Sequence, residues 1–409
     1  MKEALEGEGD RVKRRLLVLN QYFPPDVAST AKCVAQLANY LGHFFTVTVL
    51  AGRPSYSPTQ RHPFYLLRHE RVGNIVVERV GSTALPRYRM RWRLSNYLSY
   101  LTLALVRGLM IPTDIVLTMT DPPLACVVGA LIARRWDCPF IYNIRDLHPD
   151  MALAAGLIRP GPLIERWERL HRWALSQAVK VIVLGEDMKE RLKAKGVSEE
   201  KIVVIHNWSD LYPLPPSNNP FKEELRCGFP FVAMHAGNLG FYGAWETLLK
   251  AAQWVAGEGI GLIFVGEGTY KAQLQAIADG AANVRFLPYR PEEQVPFVLA
   301  SPDLHIVTIK HGFEGLVVPS KLYPILAAGK PVLAVVPERS EVAKIVRQAR
   351  CGIVTDPADS KGVADALCWA RYHADALQQM ARNARTAAAE FTSQKQMGKF
   401  VQVIQQTLS

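Results

Sequence analysis

Four segments of the 409-residue chain carry side chains whose types and spacing suit an anionic, hydroxyl-rich ligand. In HAGNLGFYGAWETLL, residues Gly237, Asn238, Leu239 and Gly240 fill a turn between an apolar run and a helical pattern. Glycine lets backbone approach a ligand closely, and a helix N-terminus attracts an anion. VGEGTYKAQL repeats the arrangement with Gly266 and Gly268. In HGFEGLVVPSKLYPILAAGKPVLAVV, Gly312 and Gly315 flank Glu314, and Pro-Ser-Lys opens a helix at Ser320 and Lys321. Free amides, a hydroxyl and an ammonium converging there would hold a diphosphate, and Glu314 would accept hydrogen bonds from sugar hydroxyls. The plainer alternative is a capped helix with an exposed lysine. In NIRDLHPDM, Arg145, Asp146, His148 and Asp150 follow a strand pattern. Two carboxylates and a histidine suit acid–base work, or they cap the segment that follows.

The elements that must position these residues alternate strand and helix. Strand patterns fall at 15–21, 46–52, 74–80, 114–120, 139–145, 180–185 and 202–207, with helix-length stretches between several of them. Runs rich in Val, Ile and Leu joined by helices predict a parallel sheet covered on both faces. The stretch LYPLPPSNNPF (211–221) reads as a linker. The pattern restarts at 231–237, 261–266, 284–289, 304–309, 331–336 and 352–356. The expected organisation is a flexible tail (1–13), a Rossmann-like N-terminal domain (14–210), the linker, and a Rossmann-like C-terminal domain (222–390). A last helix (391–409) is expected to pack back on the N-terminal domain. Two α/β domains, each a doubly wound parallel sheet, would face each other across a cleft at their strand carboxyl ends.

Several classes are excluded. The first βα turn, NQYFPPDVAST, contains no glycine, which argues against a nicotinamide or flavin cofactor. Pro24 and Pro25 instead stiffen a loop lining the cleft. The chain has no P-loop, no GxSxG elbow and no His-rich metal cluster, so no metal and no cofactor is expected. The six cysteines have no CxxC spacing and read as buried free thiols in a reducing compartment. The N-terminus lacks an apolar core for secretion, which predicts a cytoplasmic protein.

The net charge of +11 is concentrated: residues 51–100 hold nine arginines against two glutamates. Arg87, Arg89, Arg91, Trp92 and Arg93 run straight into an apolar stretch at about 94–112. Arginine and tryptophan beside an apolar helix read best as an element on an anionic membrane surface, and an interfacial helix or a core helix with a basic entry is expected ahead of a true span. Nucleic acid is not the expected partner, because no binding motif accompanies the charge.

The order NQYFPPD, DIVLTMTDPP, NIRDLHPDM, HAGNLGFYGAWETLL, FVGEGTYK, VRFLPYRPEEQVP and EGLVVPSKLYPILAAGKPVLA resembles the GT-B retaining glycosyltransferases of family 4 over about 14–400. It is most similar to the bacterial branch building exopolysaccharide, capsule and O-antigen, including enzymes like N-acetylfucosamine transferases. The resemblance implies a nucleotide-sugar donor, with UDP favoured, held by the C-terminal domain. Leu287 of VRFLPY joins the donor-side residues on this reading. It implies a polyprenyl-diphosphate-linked saccharide acceptor on the N-terminal side, near Pro25, Arg145 and His148. It also implies retained anomeric configuration without a metal, at the cytoplasmic face of the plasma membrane. Asp146, Glu314 and Lys321 would be the catalytic residues.

The chain departs from the family pattern at several places. Pro324 stands where relatives have a second, ribose-binding Glu, and Glu314 lies ten positions earlier rather than eight. Asn238 and Tyr242 stand where many relatives have basic residues, which leaves Lys321 and the helix N-terminus to neutralise the diphosphate. Two alternatives share the fold: a nucleotide-sugar epimerase and a non-catalytic nucleotide-sugar-binding protein.

Overall fold

The structure, a computed structural model, describes residues 13–55, 63–85, 89–211 and 219–409. Most of the expected tail and linker therefore lie outside the described residues, as does Arg87.

The N-terminal half runs β1 (Arg15–Leu19), α1 (Ser29–Leu41), β2 (Thr46–Gly52), β3 (Leu67–Val72), β4 (Ile75–Val80), α2 (Met90–Gly108), β5 (Ile115–Thr118), α3 (Ala125–Arg135), β6 (Phe140–Asn143), α4 (Asp150–Ala154), α5 (Pro162–Gln177), β7 (Lys180–Val183), α6 (Glu186–Ala194) and β8 (Ile202–Val204). The C-terminal half runs α7 (Lys222–Arg226), β9 (Phe231–Ala236), α8 (Trp245–Trp254), β10 (Ile260–Val265), α9 (Lys271–Ile277), β11 (Val284–Leu287), α10 (Val295–Ala300), β12 (Leu304–Thr308), α11 (Leu322–Ala327), β13 (Val332–Val335), α12 (Glu341–Ala349), β14 (Gly352–Thr355), α13 (Ser360–Tyr372), α14 (Ala374–Ala388) and α15 (Ser393–Leu408).

The first sheet has the order β3-β4-β2-β1-β5-β6-β7-β8, and the second β11-β10-β9-β12-β13-β14. Every pairing is parallel except β3 with β4. Central strands such as β5 (IVLT) and β10 (IGLIFV) are buried at every position, because helices cover both sheet faces. α15 places Phe400 and Ile404 in one core with Leu16, Val18 and Val34 of β1 and α1. The last helix thus belongs by packing to the N-terminal domain.

The structure differs from the sequence reading in four places. β3 (LRHERV) is an edge strand without apolar alternation, so periodicity does not announce it. Its side chains pair by charge: Glu70 bonds Arg68 and Arg79, while Glu78 of β4 bonds Arg107 of α2. Arg79 is buried against Phe23, so these arginines stabilise the sheet edge instead of forming a free basic patch. The helix opened by Pro-Ser-Lys is only six residues long, with Lys321 as its N-cap. All six cysteines are free, but only Cys126 and Cys351 are buried.

Candidate active site

The donor-side glycines meet at the carboxyl ends of β9 and β10. The Gly237 amide donates to the Val265 carbonyl at 2.9 Å, Leu239 to Glu267 at 2.9 Å, and Gly266 to Leu287 at 2.9 Å. Gly237, Leu239, Gly266 and Leu287 thus form one laddered floor. The two turns touch: a Cβ on Gly266 would lie 1.9 Å from the Gly237 oxygen, and one on Gly268 would lie 2.3 Å from the Leu239 oxygen. Only glycine permits that approach. The same ladder corrects one expectation. The Gly237 and Leu239 amides are consumed inside the protein and are not open to an anion.

Lys321 lies on this floor, its Cε 2.9 Å from where a Gly237 Cβ would be. It presents surface to solvent, yet the cleft walls crowd it. Desolvation pulls its ammonium below the usual lysine range, and the Lys32 charge adds to that. Lys32 reaches across from α1 and pairs with Glu292 of the C-terminal domain. Ser320 is exposed beside Lys321. With α11 so short, the cationic side chain contributes more here than a helix dipole.

Glu314 sits at the seam between the domains. Its carboxylate accepts from the Gly312 amide at 2.7 Å, and its carbonyl accepts from Arg191 Nε at 3.2 Å. The Gly315 amide donates to Asp187 of α6 at 3.1 Å. Gly315 therefore joins the two domains, and its amide is not available to a donor. The Leu147 amide then donates to the Leu316 carbonyl at 2.9 Å, and Asp146 forms an antiparallel bridge with Val317. The backbone after Glu314 is thus laid directly on the segment carrying Asp146.

Burial raises the Asp146 carboxyl to about 7, with Asp121 adding to the rise and Arg145 opposing it. Across the cleft, burial and then the Asp146 charge push Tyr242 up to about 12. Asp146, Asp121 and Tyr242 form one electrostatic neighbourhood spanning both domains. The glycines marked the donor floor in the sequence. Asp121, Lys32 and Asp187 carry no such local mark.

The remaining acceptor-side residues separate. The Arg145 guanidinium bonds Asn207 Oδ1, and its amide donates to Thr120 Oγ1 at 3.1 Å, so it ties strand ends together. Pro25 is exposed in the loop after β1. His148 does not join Asp146 at the donor floor. Its ring stacks on Trp167 of α5 at 6.0 Å, and burial, helped by His171 and Arg93, depresses it to about 4. Asp150 pairs with Lys195 at 2.7 Å. A crevice of about 750 Å³ between α4 and α5 is lined by N-terminal residues alone, Leu153, Ile164 and Arg172 among them, and is distinct from the donor floor. Among the described residues, no group of three or more His, Cys, Asp or Glu is placed to hold a metal.

α2 shows two faces. Asn96, Tyr100, Ala104 and Gly108 are buried at four-residue spacing, while Leu94, Leu98 and Val106 are 51%, 64% and 50% exposed. At its start, the Arg89 and Arg91 guanidinium groups lie 5.0 and 5.8 Å from the Trp92 ring, and Arg93 bonds the Tyr97 hydroxyl at 3.2 Å. No helix among the described residues is long and apolar enough to cross a membrane.

Two facing parallel-sheet domains with this site at their strand ends have the GT-B fold. Residues 30–208 match the family described as a glycosyl transferase 4-like domain, and residues 223–371 match the glycosyl transferases group 1 family. Each half of the chain thus matches a glycosyltransferase model. The chain is similar to a probable glycosyltransferase, WbjE of Pseudomonas aeruginosa, at 29% identity over 264 residues, covering 62% of this chain and 66% of that protein. It is also similar to a putative colanic acid biosynthesis glycosyl transferase, WcaI of Escherichia coli K12, at 27% identity, covering 51% of this chain and 54% of that protein. The match spans less than two thirds of each curated relative. Among solved structures, Anabaena HepE in complex with UDP superposes with a TM-score of 0.69 at 17% identity, over 96% of this chain and 100% of that one. HepE is also solved with UDP-glucose, at the same TM-score of 0.69.

Proposed function

We propose that the protein is a retaining glycosyltransferase that moves a sugar from a nucleotide donor, UDP-linked by preference, to a lipid-linked saccharide in cell-surface polysaccharide synthesis. One observation carries the reading: the Gly237 and Gly266 turns share a floor with Lys321, and the backbone after Glu314 is laid on the segment of the other domain that carries Asp146. The glycosyltransferase matches in both halves support it, as do the nucleotide and sugar nucleotide held by HepE.

On this reading the acceptor hydroxyl oxygen bonds the anomeric carbon as the bond to the diphosphate breaks on the same face. The hydroxyl proton passes to the departing phosphate oxygen. Lys321 stabilises the charge that develops. One such preorganised donor is worth about 3 kcal/mol in a transition state. Glu314 orients the sugar, and Asp146 positions the acceptor. No metal takes part in the scheme.

α2 is the membrane-facing element in this scheme. Its exposed Leu94, Leu98 and Val106 enter the interface of the cytoplasmic leaflet, while Arg89, Arg91 and Trp92 meet lipid phosphates. The anionic surface then concentrates both the enzyme and its lipid-linked acceptor.

The direct test is thermal stabilisation by UDP, GDP, ADP and dTDP, each with EDTA, beside Lys321→Ala. A rise in Tm with one nucleotide that survives EDTA and is lost in the variant is expected. No rise with any nucleotide at millimolar concentration would overturn the donor site.

A further inference from the structure

The densest polar contact between the domains lies away from the donor floor, where two helix N-termini meet. α6 begins at Glu186 in the N-terminal domain and α12 at Glu341 in the C-terminal domain. Each inserts a carboxylate into the other's start. Asp187 Oδ2 accepts from the Glu341 amide at 2.9 Å, and Glu341 Oε2 accepts from the Glu186 amide at 2.7 Å. The first-turn amides of a helix have no partner within it, so each acid satisfies the other helix's open donors. His206, at the exit from the N-terminal sheet, holds the second Glu341 oxygen at 3.0 Å. The fit leaves no slack: a Cβ on Gly185 would lie 2.7 Å from the Glu341 side chain.

Asp187 does more than join two helices. The same Oδ2 that holds α12 accepts from the Gly315 amide at 3.1 Å. Gly315 follows Glu314, whose carbonyl is held by Arg191 from the next turn of α6. Gly315 adopts φ +71, and a Cβ there would lie 2.6 Å from the Asp187 carbonyl oxygen. One carboxylate of the N-terminal domain therefore fixes both α12 and the strap bearing Glu314.

Resting on the donor reading above, we propose that Asp187 is a positioning residue, which places Glu314 against the donor sugar only when the two domains are closed. Closure and sugar alignment are then one event. An open enzyme holds nucleotide on its C-terminal floor but leaves Glu314 unset. Binding energy from closure assembles the site, and water is kept from the donor until then. Among the described residues the Asp187 carboxylate accepts from the Met188, Gly315 and Glu341 amides, none of them on the nucleotide floor, so nucleotide affinity and sugar placement separate in experiment.

Asp187→Asn tests this, with Arg191→Gln as an independent variant should the first not fold. Amide hydrogen exchange is followed in peptides covering residues 312–317 and 338–343, with and without UDP. UDP affinity is measured by calorimetry, and turnover by release of UDP from the sugar nucleotide that supports activity in the wild type. In Asp187→Asn, exchange at Gly315 and Glu341 is expected to rise at least tenfold and kcat to fall at least tenfold, with UDP affinity within twofold of wild type. In Arg191→Gln, exchange rises in the 312–317 peptide alone, and kcat falls less. A merely structural role would lower Tm and UDP affinity together, and that result overturns the proposal. So does unchanged protection at Gly315 or unchanged kcat. If the wild type binds no UDP, the donor reading fails on that control, while the exchange data still show whether Asp187 holds the strap.

Discussion

Replacing Lys321 by methionine is expected to uncouple ligand affinity from stability. The ammonium sits on the Gly237 turn at the mouth of the cleft, with Lys32 adding a second positive charge. A unit charge about 4 Å from a phosphate oxygen at an effective dielectric of 20 interacts by about 4 kcal/mol. The desolvation already felt by Lys321 reduces this toward the ~1.5–3 kcal/mol typical of a hydrogen bond to a charged group. UDP affinity should therefore fall by roughly 10- to 150-fold. In the free protein the sign reverses. Burial and Lys32 hold the Lys321 pKa below its ordinary value, so the charged form is disfavoured by folding. Methionine keeps the stem that packs on Gly237 and removes that penalty, so Tm without ligand should stay level or rise. Calorimetry with UDP and thermal unfolding without it measure the two effects. Lys330→Met is the control: Lys330 is also held below its usual pKa, but its Nζ donates to the Pro302 carbonyl at 3.0 Å, and UDP affinity should not change. Lys321→Met binding UDP within twofold of wild type, or losing Tm as it loses affinity, would mean that the Lys321 ammonium does not hold the diphosphate.

Other expectations follow from the same geometry. Asp146 has a folded-state pKa near 7, above that of a free carboxyl, so the folded protein holds a proton there that the unfolded chain releases. Its contribution to stability is full below about pH 4 and is lost as pH rises through about 7, on the order of 1.4 kcal/mol per pH unit between. Asp146→Asn should flatten that slope in pH-dependent denaturation, and should remove an acidic limb near pH 7 from the activity profile. Arg89→Gln with Arg91→Gln should weaken flotation with anionic vesicles by about 30-fold, at ~1 kcal/mol per arginine, and wild-type binding should weaken with salt. Full recovery of the wild type in the soluble fraction at low salt, with no vesicle binding, would count against the membrane role of α2. Phe400→Ala, at a side chain 1% exposed between α15 and β1, should destabilise the N-terminal domain by about 3–5 kcal/mol in denaturant titration.

The parallel strands were legible because both faces are buried, which leaves Val-, Ile- and Leu-rich runs that need no partner to be recognised. β3 was hidden for the opposite reason: an edge strand held by Glu70 and its arginines has no apolar signature. The donor floor could be read because only glycine allows the Gly237 and Gly266 turns to touch, and that requirement is visible in one dimension. The sequence sets His148 beside Asp146 because both follow β6, yet the chain turns after Leu147 and sends the ring to Trp167. Asp187 and Glu341 are 154 positions apart and gain their roles only when α6 meets α12. No local pattern encodes such a pair, since acidic residues in a first helical turn are common for reasons of capping alone.

Acceptor-dependent release of UDP tests transfer from a nucleotide sugar to a lipid-linked saccharide. Purified protein with EDTA is incubated with a panel of UDP-sugars on anionic vesicles, with or without polyprenyl-diphosphate-linked saccharide. Release is expected from one UDP-sugar and only with the lipid-linked acceptor, with a matching gain of one sugar on the lipid in α-linkage from an α-linked donor. UDP release equal with and without acceptor, or a product of inverted configuration, would contradict this transfer.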